Sequence, residues 1–388
     1  MNKVSSSRAG NYIKQLAGYS AFVPSNLPPE PAIKLDEDLQ KLLSEADRNL
    51  GRLDGAVVTL PNPDLFVFMY VRKEAVLSSQ IEGTQSSLQD LLAAEANLYL
   101  EDQPKDVDEV INYVSAMNHG LSRLEELPVS VRLIKEIHER LLSGVRGSKL
   151  TPGQLRTSQN WIGPSGCSLM EAAFVPPPPD LVAECLGQLE KFLHAQSSLP
   201  LLIQIGLAHA QFETIHPFLD GNGRVGRLLI TFLLCQQKVL QKPVLYLSHY
   251  FKQHRQEYYE RLQSVRDKGD WEGWLTFFLQ GVVQVAAQSS ETARRILELR
   301  EQHREIVTRQ FKRATANGHL LLEYLYERPI ISVNEIVKLT GASYPASNNL
   351  VEQFVMHGIL TEITGQKRNR RYRYHQYVGL FDGHVDSR

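Results

Sequence analysis

The chain reads as mostly α-helical. Leu, Ile, Val and Phe recur at three- and four-residue steps through most of its 388 residues. Strand-like character is confined to one break rich in glycine and proline, between about residues 146 and 180. No internal repeat of 20–50 residues appears, and the only low-complexity tract is Pro176–Pro179.

The elements follow in order. The first thirty-odd residues are polar and proline-punctuated (PSNLPPEPAIKL), which predicts an extended arm. From Asp36 to Leu100, DEDLQKLLSEADRNLGRL, PDLFVFMYVRKEAVLSSQIEG and SLQDLLAAEANLYL each carry the helical period. KDVDEVINYVSAMNHGLSRL continues it, with acidic residues at its start that suit a helix N-terminus, and SVRLIKEIHERLLSGV follows. In the break, Gly163-Pro-Ser-Gly166 between NWI and CSLMEAAFV predicts a small β-hairpin flap, placed at 155–176. Helices resume from Leu181 to about Gln288, interrupted sharply at His216–Gly223, and a long amphipathic connector leads to a smaller terminal unit. The expected organisation is therefore an N-terminal helical region (1–105), a core (106–290), a connector helix (291–317) and a C-terminal unit (318–388).

Composition narrows the class. With 43% hydrophobic residues the chain is not dominated by disorder, and 42 basic against 43 acidic residues give no global pull toward nucleic acid or membrane. No apolar run approaches the ~18 residues of a membrane span, and MNKVSSSRAGNY lacks the apolar core of a secretory signal. Cys167, Cys185 and Cys235 are too few and too scattered for a disulfide frame or zinc site. A cytoplasmic protein without membrane partners is expected.

The segment with chemistry in it is the interruption itself. PLLIQIGLAHAQFETI arrives as a buried helix and Pro217 ends it; VGRLLITFLLCQQKVL leaves as another. Packing alone does not ask for His216, Asp220, Gly221, Asn222, Gly223, Arg224 and Arg227 between them. Gly221 and Gly223 let backbone N–H groups turn toward one point, where the following helix adds its unpaired amides and positive dipole end. That is an anion site suited to phosphate. Arg224 and Arg227, three apart, can grip further phosphate oxygens, Asn222 can hydrogen-bond one, and Asp220 is a hard oxygen ligand for Mg²⁺. His216 is the residue type for a general base at neutral pH. Gly221-Asn-Gly223-Arg-Val-Gly226 also fits G-x-G-x-x-G, but a helix precedes it and no acid follows near residues 245–250, so dinucleotide binding of the βαβ kind is rejected.

His216-Pro-Phe-Leu-Asp220-Gly-Asn-Gly-Arg224-Val-Gly-Arg227 resembles the Fic family signature H-P-F-x-[D/E]-G-N-G-R-x-x-R at every defined position. Fic proteins mostly move AMP from ATP to a protein hydroxyl. The resemblance implies a Fic-type helical bundle with His216 as base toward the incoming hydroxyl and Asp220 holding Mg²⁺ on the α- and β-phosphates. The 221–223 amides with Asn222 would form the anion hole, and Arg224 and Arg227 would hold the β- and γ-phosphates, with Val225 and Gly226 in the same phosphate-binding turn. It further implies that PGQLRTSQNWIG…AAFVPPPPDLV is a flap pairing with an extended target segment, and that Tyr258 and Tyr259 are adenine-side tyrosines. The likeness spans most of residues 50–290.

Ser78-Ser-Gln-Ile-Glu82-Gly83 resembles the inhibitory motif [S/T]-x-x-x-E-[G/N] found N-terminal to many Fic cores. Glu82 at a helix C-terminus needs a compensating cation, and Arg227 needs an anion when ATP is absent. In the last unit a short helix, a turn at Gly341 and a second helix (Ser343 to His357) precede GQKRNRRYRYHQYV, where five of residues 367–373 are basic. This resembles a winged helix-turn-helix with a basic wing at 366–375, a local footprint for DNA, although such units also dock proteins. The expected activity is Mg²⁺-dependent protein adenylylation under Glu82 control. Removal of AMP by the same site is a close variant, and a homodimer is left open. The alternative is a DNA-binding regulator whose core senses nucleotide.

Overall fold

The computed structural model describes residues 8–58, 63–98, 104–164 and 166–381. The termini of the expected outer regions, the end of the third helical segment at residues 99 and 100, and Ser165 in the flap turn lie outside these.

The N-terminal arm is not extended. β1 (Gly10–Lys14) and β2 (Ser20–Pro24) form an antiparallel hairpin with Gly10 opposite Pro24. The reason is non-local. Phe22 is fully buried against Phe174, ring centroids 6.0 Å apart, and its N–H donates to the Val175 carbonyl at 2.9 Å. A pattern reading of a polar, proline-rich segment has no access to that partner.

Helices then follow as the hydrophobic period predicts: α1 (Glu37–Val58), α2 (Pro63–Ile81), α3 (Leu88–Glu95), α4 (Val107–Arg123) and α5 (Val131–Leu141). Ser87 and Asp90 form a capping box at α3, and Ser130 caps α5. After the flap come α6 (Pro179–His194), α7 (Leu201–Ile215) and α8 (Asn222–Gln236). α7 and α8 are buried on nearly all sides, as helices lacking a polar face must be. They form the centre on which α9 (Ser248–Gln253) and α10 (Arg255–Lys268) are laid.

The predicted flap hairpin reduces to a single antiparallel bridge. Ile162 and Phe174 exchange N–H···O=C bonds at 2.8 and 3.0 Å, and no ladder extends from it among the described residues. Pro164 on one side and Pro176 to Pro179 on the other lack the N–H donors a longer ladder needs.

The core and the connector helix expected on either side of residue 290 are joined in one helix. α11 runs unbroken from Trp271 to Gln310, because nothing from Val282 to Gln310 is glycine or proline. Its first half packs on the core and its second half on the C-terminal unit, where Arg300 pairs with Glu323 at 2.7 Å and His303 Nδ1 lies 2.7 Å from the Tyr374 hydroxyl. That unit comprises α12 (Thr315–Glu327), β3 (Ile330–Ser332), α13 (Val333–Thr340), α14 (Tyr344–Met356), β4 (Thr361–Glu362), β5 (Arg371–Arg373) and α15 (His375–Gly379), with the antiparallel sheet order β3-β5-β4. Gly341 takes the left-handed conformation (φ +67°) that turns α13 into α14. Phe381 packs edge-on against Tyr70 of α2, centroids 5.2 Å apart. No helix among the described residues is long and apolar enough to cross a membrane.

Candidate functional site

The loop between α7 and α8 is held from several sides. His216, the C-cap of α7, adopts a left-handed conformation (φ +49°, ψ +61°), uncommon for a residue with a Cβ. Its carbonyl accepts from Arg156 Nε at 2.9 Å and Asn160 Nδ2 at 3.3 Å. Arg156 is buried and also donates to the carbonyls of Ser158, Pro177 and Ile215, so backbone oxygens rather than a carboxylate satisfy it. His138 of α5 stacks on Phe218 with centroids 3.7 Å apart. Its Nδ1 accepts from Gly153 N–H at 2.8 Å, which fixes the tautomer whose Nε2–H donates to the Asp220 carbonyl at 3.0 Å. These three residues escape sequence reasoning. His138 sits on a helix that reads as purely amphipathic, and Arg156 and Asn160 lie in the irregular break.

Gly221 is left-handed (φ +77°) and opens α8, leaving the first-turn amides of Asn222, Gly223 and Arg224 outside the helical ladder. Val225 N–H is already bonded to the Gly221 carbonyl at 3.0 Å, so it is not available to a phosphate. The Asn222 side chain is spent too: buried, it accepts from Phe218 N–H and donates to the Phe218 carbonyl, each at 2.8 Å. It closes the loop on itself, and only its backbone N–H can face an anion. Gly226 serves packing, since a Cβ there would collide with Glu213 Oε1.

The two arginines differ. Arg224 is buried and donates through Nη1 to Glu109 Oε2 of α4 at 3.1 Å, while its Nε and Nη2 lack hydrogen-bond partners among the described residues. Nη2 stands 3.6 Å from Asp220 Oδ1. A buried guanidinium with unspent donors beside a free helix N-terminus is built for an oxyanion. Arg227 is held through two of its three nitrogens: Nε donates to Ser78 Oγ at 2.8 Å, and Nη2 to the Ser78 carbonyl at 2.9 Å and to Glu82 Oε1 at 2.6 Å. Ser78 lies in the last turn of α2, Glu82 follows it, and Gly83 takes φ +100°, so all three inhibitory-motif residues are at the helix end expected. Arg255 Nε donates to the Ile81 carbonyl at 3.1 Å and closes that end. A Cβ on Gly223 would collide with Glu82 Oε1: the glycine leaves the slot the carboxylate fills.

The electrostatics follow from burial and these partners. Burial works against charge on Glu82, but Arg227, then Arg224 and His216, hold its carboxyl below the usual range. Burial pushes His216 down to about 3, reinforced by Arg266 and Arg156, so the imidazole is neutral and able to accept a proton at physiological pH. For a Glu82→Gly protein this predicts kcat/KM with no acid limb from the base between roughly pH 5 and 8, because removing Glu82 removes a charge that raises His216. A limb centred on the ordinary histidine value of 6.5 would show an exposed, solvated base instead.

Asp220 is half-buried, its Oδ1 accepts from Gly221 N–H at 2.6 Å, and a Cβ on Gly147 would come within 2.8 Å of Oδ2, so the glycine leaves room beside that oxygen. One hard carboxylate next to an anion site fits Mg²⁺, which takes its other ligands from phosphate and water.

Glu82, His216, Gly223 and Arg227 line one cavity of about 650 Å³ between the loop, the flap and α10. The two tyrosines part company there. Tyr258 is buried, stacked on Phe251 at 4.6 Å, and its hydroxyl donates to His209 Nε2 at 2.9 Å, so the hydroxyl is spent in the core while the residue still lines the cavity wall. Tyr259 is 38% exposed and offers its ring to the cavity. Adjacent helical residues point about 100° apart, so one of a Tyr-Tyr pair had to turn inward.

The family models settle the lineage of this site. Residues 40–122 match the Fic/DOC family N-terminal model and residues 128–234 the Fic/DOC family model. The chain carries a Fic domain. The protein adenylyltransferase Fic of Drosophila willistoni is 31% identical to it over 173 residues, 44% of this chain and 30% of that protein. The matched part thus spans less than a third of that relative's length. A Fic family protein from Desulfovibrio desulfuricans G20 shares the fold, with a TM-score of 0.58 at 19% identity over 88% of this chain and 97% of that one. A Fic domain containing signaling protein from Bacteroides thetaiotaomicron VPI-5482 aligns with a TM-score of 0.50 at 16% identity, over 63% and 95% respectively. The Fic loop, the flap and the motif around Glu82 all lie within or beside the two matched regions.

Proposed function

We propose that this chain is a protein adenylyltransferase held off by its own Glu82. The observation that carries the reading is the coincidence in one cavity of a neutral His216, free α8 amides and an arginine occupied by a carboxylate from the preceding helical region. In this reading the loop amides and Arg224 bind the phosphates of ATP. His216 accepts the proton of a serine, threonine or tyrosine hydroxyl as that oxygen attacks the α-phosphorus, and pyrophosphate leaves from the opposite side. Asp220 would hold Mg²⁺, which would neutralise phosphate charge. Tyr259 stacks on the adenine. The target protein lays an extended segment along the flap beside Ile162. Incubation with α-labelled and with γ-labelled ATP tests this: protein labelled only from the α position is expected, and labelling from the γ position would make the enzyme a kinase.

For the C-terminal unit we propose a winged helix-turn-helix that binds DNA, with α14 as recognition helix and the β4–β5 loop as wing. Not every basic residue of 367–373 is available for phosphate: Arg371 pairs with Glu335 at 2.7 Å and Arg373 bonds Gln89 at 2.9 Å. Lys367 and Arg368 are exposed, and Arg370 is half-exposed, with one longer bond from Nη2 to Asn348 Oδ1 of α14 at 3.3 Å. Replacing these three with alanine should weaken DNA binding and reduce its salt slope by up to about three. Salt-insensitive behaviour of the intact protein toward DNA would favour a docking module.

A further inference from the structure

Glu213 is the one buried acid at the cavity that the proposed reaction leaves unemployed. It sits on α7 three residues before His216, about 4.5 Å along the helix axis. It is 6% exposed, and its Oε1 has no hydrogen-bond partner among the described residues although it lines the nucleotide-side cavity. A buried carboxyl with an unpaired oxygen is costly and is kept where something arrives to pair with it. Its surroundings fix what that can be. Arg227 and Arg266 supply positive charge nearby, Glu82 supplies negative charge, and Gly226 lacks the Cβ that would close the space. Arg266 spends hydrogen bonds on the Thr214 hydroxyl and the Glu213 backbone carbonyl, not on the carboxylate. Burial pushes the Glu213 carboxyl up to about 7, so near neutral pH both its forms are present and it pairs best with a group that can donate and accept, as a hydroxyl does. It stands three residues before His216 and its charge acts on the hydroxyls of Tyr258 and Tyr259, which puts it between the proposed base and the proposed adenine side. In a nucleotide the group attached directly to the α-phosphate is the sugar; the base lies beyond it.

We propose that Glu213 forms a hydrogen bond with a ribose hydroxyl of the bound nucleotide and makes this cavity selective for ribonucleotides over deoxyribonucleotides. This rests on the cavity taking ATP, as proposed above. A bond between a hydroxyl and a buried carboxylate discriminates by about tenfold or more.

The test uses full-length protein carrying Glu82→Gly, so that Arg227 is open, and measures binding of ATP, 2′-deoxyATP, 3′-deoxyATP and inorganic tripolyphosphate by calorimetry. ATP should bind about tenfold or more tightly than at least one deoxy analogue. Adding Glu213→Ala should bring that ratio toward one while tripolyphosphate affinity stays put. Glu213→Gln, which keeps the shape and an acceptor but loses the charge, should fall between, and it carries the test if the alanine protein does not fold. A ratio unchanged in these variants overturns the inference. So does a parallel loss of ATP and tripolyphosphate affinity, which would mean that Glu213 acts through Arg227. Selective ATP binding with no label transfer would sink the transferase reading alone.

Discussion

Glu82→Gly is expected to raise self-labelling by α-labelled ATP about ten- to hundredfold, the range that loss of one charge-assisted bond to a buried guanidinium commands. The physical ground is the 2.6 Å contact to Arg227 Nη2. While it stands, the guanidinium is turned to Ser78 and Glu82, so a triphosphate entering the cavity meets a carboxylate where its terminal phosphate should lie. In-line attack needs the leaving pyrophosphate opposite the hydroxyl, and misplacement by about 1 Å suppresses chemistry more than binding. Removing the side chain removes a charge and adds no contact. Arg227→Ala should not imitate it, because the inhibitory partner and the phosphate clamp vanish together, and the double mutant should label no faster than wild type. Should Glu82→Gly alone label at the wild-type rate, control lies outside this helix.

His216→Ala, introduced into the activated protein, should lower AMP transfer by about 10²–10⁴-fold and leave ATP bound. Truncation at Cβ takes away the proton acceptor without releasing the loop, whose backbone is fixed at the His216 carbonyl by Arg156 and Asn160. The groups proposed to bind phosphate, the α8 amides and Arg224, belong to other residues. Rate from α-labelled ATP and affinity by calorimetry separate the two effects; transfer at an undiminished rate would remove His216 from the role of base.

Residues that packing cannot explain were the ones legible in the sequence. His216, Asp220, the glycines and both arginines stand between two apolar helices, and no core needs them there. The Glu82 motif was legible for a related reason, a carboxylate at the wrong end of a helix dipole, and it faces Arg227 as expected. What stayed hidden depends on partners distant in sequence or on side-chain direction. Phe22 turns an arm into a hairpin only because Phe174 covers it. Asn222 has the chemistry for phosphate, yet its amide bonds both polar groups of Phe218, a matter of rotamer rather than composition. Both tyrosines line the cavity, but helical phase could not say which is buried and which keeps an exposed ring. The core and the connector expected on either side of residue 290 are one helix, because α11 changes packing partner without interruption.

If the proposed reading holds, the slot at Gly223 narrows how this chain could escape control by inheritance. The proposed brake and the proposed phosphate site share residues. Gly223 makes space for Glu82 and lies in the amide turn that opens α8, and Arg227, which anchors Glu82, would also be the phosphate clamp. A substitution on the loop side that loosens the brake therefore damages the machinery it would release. Only the accepting side, a few codons around Ser78 and Glu82, would then offer a lesion that frees activity without impairing it. The mutational target for an unrestrained lineage is small, while the target for simple inactivation runs through the whole loop.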